Sequence, residues 1–130
     1  MSRRPPERRF FVLFTGFWLP VLAYVVTIFT LSAQPRLAPP LTFANADKVL
    51  HLIEYLLLGL LLVRALRASL RVARPLFAAV MAIALVVVVA AADENFQSFI
   101  PGRQCDAMDF MADSLGGGLA QLVYVVLVKE

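Results

Sequence analysis

Residues 76–92 hold seventeen consecutive side chains without one polar group. At a rise of about 1.5 Å per residue, a helix over this run covers about 25 Å, just enough for the hydrocarbon core of a bilayer. Three further segments behave similarly. Residues 10–31 are rich in Phe, Val and Leu; residues 47–66 end in a leucine run; residues 107–128 are apolar beyond their first turns. The composition leaves few alternatives. Hydrophobic residues make up 61% of 130 and charged residues 16%, against about 45–50% and about 25% in soluble domains. Mean hydropathy is +0.80. A soluble chain of this size could not hide so much apolar surface. A disordered chain, a coiled coil and a disulfide-rich module are also excluded, the last because Cys105 is the one cysteine. The pattern predicts an all-α integral membrane protein, one domain over residues 1–130. Its four transmembrane helices span about 10–31, 47–66, 76–99 and 107–128.

Eight of the twelve Lys and Arg residues are Arg3, Arg4, Arg8, Arg9, Arg64, Arg67, Arg71 and Arg74. They flank apolar runs, as topology signals do, with anionic lipid as a compatible secondary contact. Nucleic-acid binding would want a basic face on a soluble fold, so no nucleic-acid partner is expected. With Lys129 these residues define the inner side; only Arg36, Lys48 and Arg103 fall on the other. Both termini are therefore expected in the cytoplasm. The basic N-terminus imitates a secretory signal, but its apolar run exceeds the 7–15 residues of a signal peptide and reads as a retained span. Pro20 should kink that span. Residues 64–74 read as a basic connection, and Pro75 suits a first helical turn. Pro35, Pro39 and Pro40 mark a loop, with Asn45 or Asp47 capping the next helix. Residues 100–103 read as a tight turn, and Asp106 as the N-cap of the last helix. On that helix Ala112, Gly116 and Ala120 form a small-residue ridge, as do Ser114 and Gly118.

The acids divide in the opposite sense. Glu7 and Glu130 lie inside, whereas Asp47, Glu54, Asp93, Glu94, Asp106, Asp109 and Asp113 fall at the outer ends of the second, third and fourth spans. Against Lys48, Arg103 and Arg36 this leaves an excess of four negative charges. A carboxylate at membrane depth costs roughly 2.5–3.5 kcal/mol on insertion scales and should face the bundle with a partner. Spacing supports convergence: Lys48, His51 and Tyr55 share a helix face, as do Asp93 with Gln97 and Asp109 with Asp113. A polar site is thus expected at the outer ends of the last three spans. His51, Glu54 and Asp113 are its candidate catalytic groups. Lys48, Tyr55, Gln97, Arg103 and Asp109 are candidate ligand-binding groups. Asp93, Glu94 and Asp109 could hold a divalent cation. Plainer roles compete: Asp47 and Asp106 as caps, Lys48 and Tyr55 as interfacial anchors, Asp93 and Glu94 as a helix end. His51 suits a general base, a metal ligand or a structural hydrogen-bonded residue. Cys105 reads as a small interfacial residue rather than a nucleophile.

Several fragments occur in a telling order. Ser32-x-Gln34-Pro35 follows the first span. Asp47-Lys48-x-x-His51-x-x-x-Tyr55-x-x-x-Gly59 opens the second. Asp93-Glu94-x-x-Gln97-x-Phe99-x-Pro101-Gly102-Arg103 closes the third, and Asp109-x-x-x-Asp113-x-x-Gly116 opens the fourth. The whole chain thereby resembles the VanZ-like family. The resemblance implies a small multi-pass protein of the bacterial cytoplasmic (inner) membrane and cell envelope. The family's namesake is linked to resistance to teicoplanin, a lipid-tailed glycopeptide. Membership alone would not make this chain a resistance determinant, since function lives in the site.

Three functions fit these residues. The first is a binding protein that engages a lipid headgroup or an amphipathic glycopeptide-type ligand at the outer leaflet, its acids meeting a cation or the ligand's basic group. The second is an intramembrane enzyme acting on an envelope lipid or lipopeptide by acid–base or metal-assisted chemistry, with Lys48 or Arg103 clamping an anionic group. The third is an ion-coupled carrier, for which four spans are few and would need an oligomer.

Overall fold

The computed structural model describes residues 6–35, 43–70 and 75–127. The expectations for Arg3, Arg4, Arg36, Pro39, Pro40, Arg71, Arg74, Lys129 and Glu130 fall outside them. The described residues form helices and no strands. α1 (Pro6–Leu13) continues through a π-helical turn at Phe14–Trp18 into α2 (Leu19–Ser32); α3 is Ala46–Leu70, α4 is Pro75–Gln97 and α5 is Ala107–Leu127. Four helical stretches are long and apolar enough to cross a membrane, the first being Glu7–Ser32.

The deformation anticipated at Pro20 takes the form of the π turn, in which the Leu19 N–H donates to the Phe14 carbonyl, five residues back. Proline has no N–H, and its ring crowds the carbonyl four residues earlier, here Gly16. Widening the turn relieves the crowding. The freed Gly16 carbonyl accepts a hydrogen bond from Arg64 Nη1 at 3.2 Å. The Arg64 guanidinium also lies 4.4 Å from the Phe17 ring centroid. Arg64 and Arg67, expected in a connecting segment, therefore lie within α3. There Arg64 satisfies a neighbouring helix, and Arg67 sits 5.6 Å from the Tyr124 ring centroid. Cations near a helix C-terminus are also favoured by its dipole.

α3 is the central helix. It pairs most extensively with α5, and α4 packs against both. Small residues permit this approach. A Cβ at Gly116 would collide with the Leu52 carbonyl oxygen and crowd the Leu56 nitrogen; one at Gly117 would come within 2.5 Å of Val86. The ridge of Ala112, Gly116 and Ala120 is buried, as expected. The second pair is not a packing ridge: a Cβ at Gly118 would meet nothing within 4 Å.

The buried face of α4 runs through Ala78, Ala82, Val86 and Ala90 at four-residue intervals, then continues into Asp93, Glu94 and Gln97. The acids are buried because they extend the helix's packing face. Phe77, Val80, Val88, Leu115, Leu119 and Leu122 point outward and are exposed. Lipid, not water, is the medium that suits this surface.

α4 ends at Gln97, two residues before the expected end, and the tight turn follows. Pro101 and Gly102 (φ +84°) fill its centre, closed by the Arg103 N–H donating to the Ile100 carbonyl at 3.0 Å. This is the pattern of a type II turn, which requires a left-handed residue after the proline. Asp106 caps α5 through Oδ1, which accepts the Met108 N–H at 2.8 Å. Before α3, Asn45 adopts a left-handed conformation (φ 61°), and its main-chain carbonyl, not its side chain, accepts the Val49 N–H. Asp47 sits in the first turn of α3 and pairs with Lys48.

Candidate functional site

The N-termini of α3 and α5 and the C-termini of α2 and α4 meet at one end of the bundle. This juxtaposition gathers two neighbouring networks of hydrogen bonds and ion pairs: Lys48, His51, Glu94, Asp106, Asp109 and Asp113 form one, and Asp93, Gln97 and Arg103 the other.

Lys48 is the outermost hub. Its ammonium lies 2.5 Å from Asp109 Oδ1, 2.6 Å from Asp106 Oδ2 and 3.0 Å from Asp47 Oδ2. An ammonium has three protons, so three carboxylates consume its donor capacity. Lys48 holds Asp106, beyond the spans, below the usual carboxylate range; the Met108 N–H adds to this.

One turn deeper, His51 Nδ1 and Asp113 Oδ1 share a hydrogen bond at 2.9 Å, with the imidazole N–H as donor when Asp113 is ionised. The other ring nitrogen, Nε2, is 3.7 Å from Asp109 Oδ2. Asp113 is 0% exposed, and its second oxygen, Oδ2, has no hydrogen-bond partner among the described residues. Glu94, 3% exposed, accepts the Asp106 N–H on Oε2 at 2.9 Å, leaving Oε1 without a donor. Asp93, 1% exposed, accepts from Gln97 Nε2 on Oδ2 at 3.0 Å and leaves Oδ1 unpaired. The buried Tyr55 hydroxyl lies beside Asp93.

Glu54 is half-buried among His51, Asp93, Asp113 and Arg103, yet its carboxylate makes no hydrogen bond among the described residues. Its main-chain carbonyl accepts the Tyr24 hydroxyl at 3.1 Å. Arg103 is turned toward α2. Nε donates to the Gln34 carbonyl at 3.2 Å, Nη2 to the Leu31 carbonyl at 3.4 Å and Nη1 to Gln97 Oε1 at 3.5 Å. It therefore ties the turn after α4 to the end of α2 and the residues that follow it.

Of the acids considered for a metal, Glu94 belongs to a group with ligand geometry, but the companions differ. His51, Glu94 and Asp113 each offer a ligand atom within 4.8 Å of the others. Asp93 is engaged with Gln97, and Asp109 with Lys48. The Cys105 thiol, outside the spans, is pushed up by desolvation and then by its hydrogen bond to Glu94, with Asp106 and Asp109 adding. That disfavours the thiolate a nucleophile needs.

Two contributors were not among the residues expected to form the site. Ser32 Oγ accepts from Gln97 Nε2 at 3.4 Å, tying α2 to α4, and Tyr24 ties α2 to α3. Tyr24 carries only the signal of a hydroxyl within an apolar span, whereas Ser32 also stands in the fragment Ser32-x-Gln34-Pro35.

Four membrane-length helices with acids buried at one end define a polytopic α-helical membrane protein. The model of the VanZ/LLP1 family matches residues 7–128, nearly the whole chain, and the protein belongs to that family. Neither a curated protein nor a solved structure matches it.

Proposed function

We propose that the chain binds a positively charged group of a lipid headgroup or an amphipathic glycopeptide-type molecule at the outer leaflet of the bacterial cytoplasmic membrane. The observation that carries this reading is an imbalance of donors and acceptors. Lys48 and Arg103 are spent on internal partners, whereas Asp93, Glu94 and Asp113 each keep a buried oxygen without a donor among the described residues. Such a cluster is ready to receive hydrogen-bond donors and positive charge, and poorly equipped to clamp an anion. Glu54, partly exposed and making no hydrogen bond through its carboxylate among the described residues, is the carboxylate left to receive an incoming ammonium. The same end exposes Phe43, Phe99 and Met108, side chains suited to acyl chains.

The positive-inside bias places this end outside and both termini in the cytoplasm. Cys105 is exposed there and reports the orientation. A membrane-impermeant thiol reagent applied to intact cells should label it; labelling only after the inner membrane is opened would reverse the topology.

The ligand is tested by mass spectrometry on nanodiscs carrying wild type or Glu54→Gln, incubated with envelope lipids and a lipid-tailed glycopeptide. Wild type should retain an unaltered ligand, with retention falling at least about tenfold in Glu54→Gln, the loss expected when a charged hydrogen bond worth roughly 1.5–3 kcal/mol is removed. Equal retention by both proteins refutes the role of Glu54. One feature favours an enzyme as the second reading: His51 and Asp113 form a hydrogen-bonded pair beside the uncommitted Glu54. In that case a product of changed mass appears with wild type and disappears with Glu54→Gln.

A further inference from the structure

We propose that His51, Glu94 and Asp113 form a binding site for a first-row divalent cation of the Zn²⁺ or Mn²⁺ type. The site joins one ligand from each of α3, α4 and α5. It goes beyond the ligand reading above and does not use Glu54.

Three observations converge. The first is geometric: one ligand atom from each residue lies within 4.8 Å of the other two. With metal–ligand bonds of about 2.0–2.2 Å, ligands of one ion sit about 3.4 Å apart in a tetrahedral shell. Atoms within 4.8 Å of one another must therefore draw together by up to about 1.4 Å to share one ion. The second is burial. Glu94 and Asp113 are 3% and 0% exposed, and each carries an oxygen with no donor among the described residues, Oε1 and Oδ2. A buried carboxylate oxygen without a donor is costly unless something supplies positive charge. The third is charge. Lys48 is held by other carboxylates, and Arg103 reaches carbonyls and Gln97. Two carboxylates and a neutral imidazole balance a dication, which suits a site inside a low-dielectric bundle.

The donor set selects the metal. An imidazole nitrogen favours Zn²⁺ or another first-row ion over Mg²⁺ and Ca²⁺, which prefer oxygen shells. Three protein ligands leave a coordination position open to water or a ligand oxygen.

The test uses the full chain in nanodiscs, purified without a histidine tag and stripped with a chelator. Zn²⁺ and Mn²⁺ are added in separate samples, excess ion is removed, and bound metal is measured by elemental analysis and titration. Wild type should retain a single ion per chain and melt at a higher temperature with it. Affinity should fall by at least about tenfold in His51→Ala and in Glu94→Gln, since even indirect partners of a metal commonly cost that much. Asp93→Asn and Asp109→Asn should retain the ion. No retention of either metal by wild type, or unchanged retention in His51→Ala, overturns the proposal. A loss in Asp93→Asn or Asp109→Asn without loss in His51→Ala overturns this ligand set. Equal ligand retention by wild type and Glu54→Gln would refute the ligand reading and leave the metal result standing, so the two ideas fail separately.

Discussion

Gly116→Leu is expected to abolish the native pairing of α3 and α5. Two effects oppose each other. Replacing a helical glycine gains about 1 kcal/mol or less in intrinsic propensity. Against this, even a Cβ at position 116 strikes the Leu52 carbonyl oxygen and the Leu56 nitrogen, and main-chain atoms cannot rotate aside. Overpacking of a core commonly costs about 1–3 kcal/mol; a whole leucine against backbone should exceed that range. The collision wins. The expected result is loss of the thermal transition in detergent, or a large downward shift. Gly118→Leu is the matched control, because a Cβ there meets open space; it should keep the transition, with stability unchanged or raised by up to about 1 kcal/mol. Equal behaviour of the two variants would show that α5 is rotated from the arrangement described.

Lys48→Met should have the next largest effect and reverse the response to acid. The substitution leaves Asp47, Asp106 and Asp109 facing one another without the ammonium that joins them. Lys48 is partly exposed, so the expected cost is about 1–3 kcal/mol, below the 3–5 kcal/mol of a fully buried pair. In wild type the Asp106 carboxyl is held below the usual range, first by Lys48. A depressed carboxylate contributes stability that is present above its ordinary pKa and lost as pH falls through the lowered value. Wild type should therefore weaken as pH drops below about 4. In Lys48→Met protonation relieves repulsion, so stability should rise as pH falls from 7 toward 4. Parallel pH profiles for the two proteins would show that Lys48 is no hub.

The membrane architecture was legible because hydropathy acts over whole segments. Residues 76–92 carry that information whatever they pack against. The clustering of acids was legible for a related reason: Asp93 follows an apolar run, and Glu54 and Asp113 sit one to two turns inside theirs. Partner choice was not legible, because it depends on helix rotation. Lys48 meets Asp106 and Asp109 across about sixty residues of sequence, and Gly116 sets that meeting by how closely α5 approaches α3. For the same reason Asp93 and Glu94, adjacent in sequence, diverge: one turns to Gln97, the other to the Asp106 N–H. Arg64 was assigned to a connection because a cation reads as an end; its partner, the Gly16 carbonyl, exists only because Pro20 opens the turn before it.

Asp106 fixes the register of α5. Its N–H reaches Glu94 of α4, Oδ1 starts α5 at Met108, and Oδ2 meets Lys48 of α3. One residue added within the next two turns would rotate everything beyond by about 100° and carry Asp113 away from His51. A residue added before Asp106 would instead alter a turn and leave the angular setting of the last helix intact.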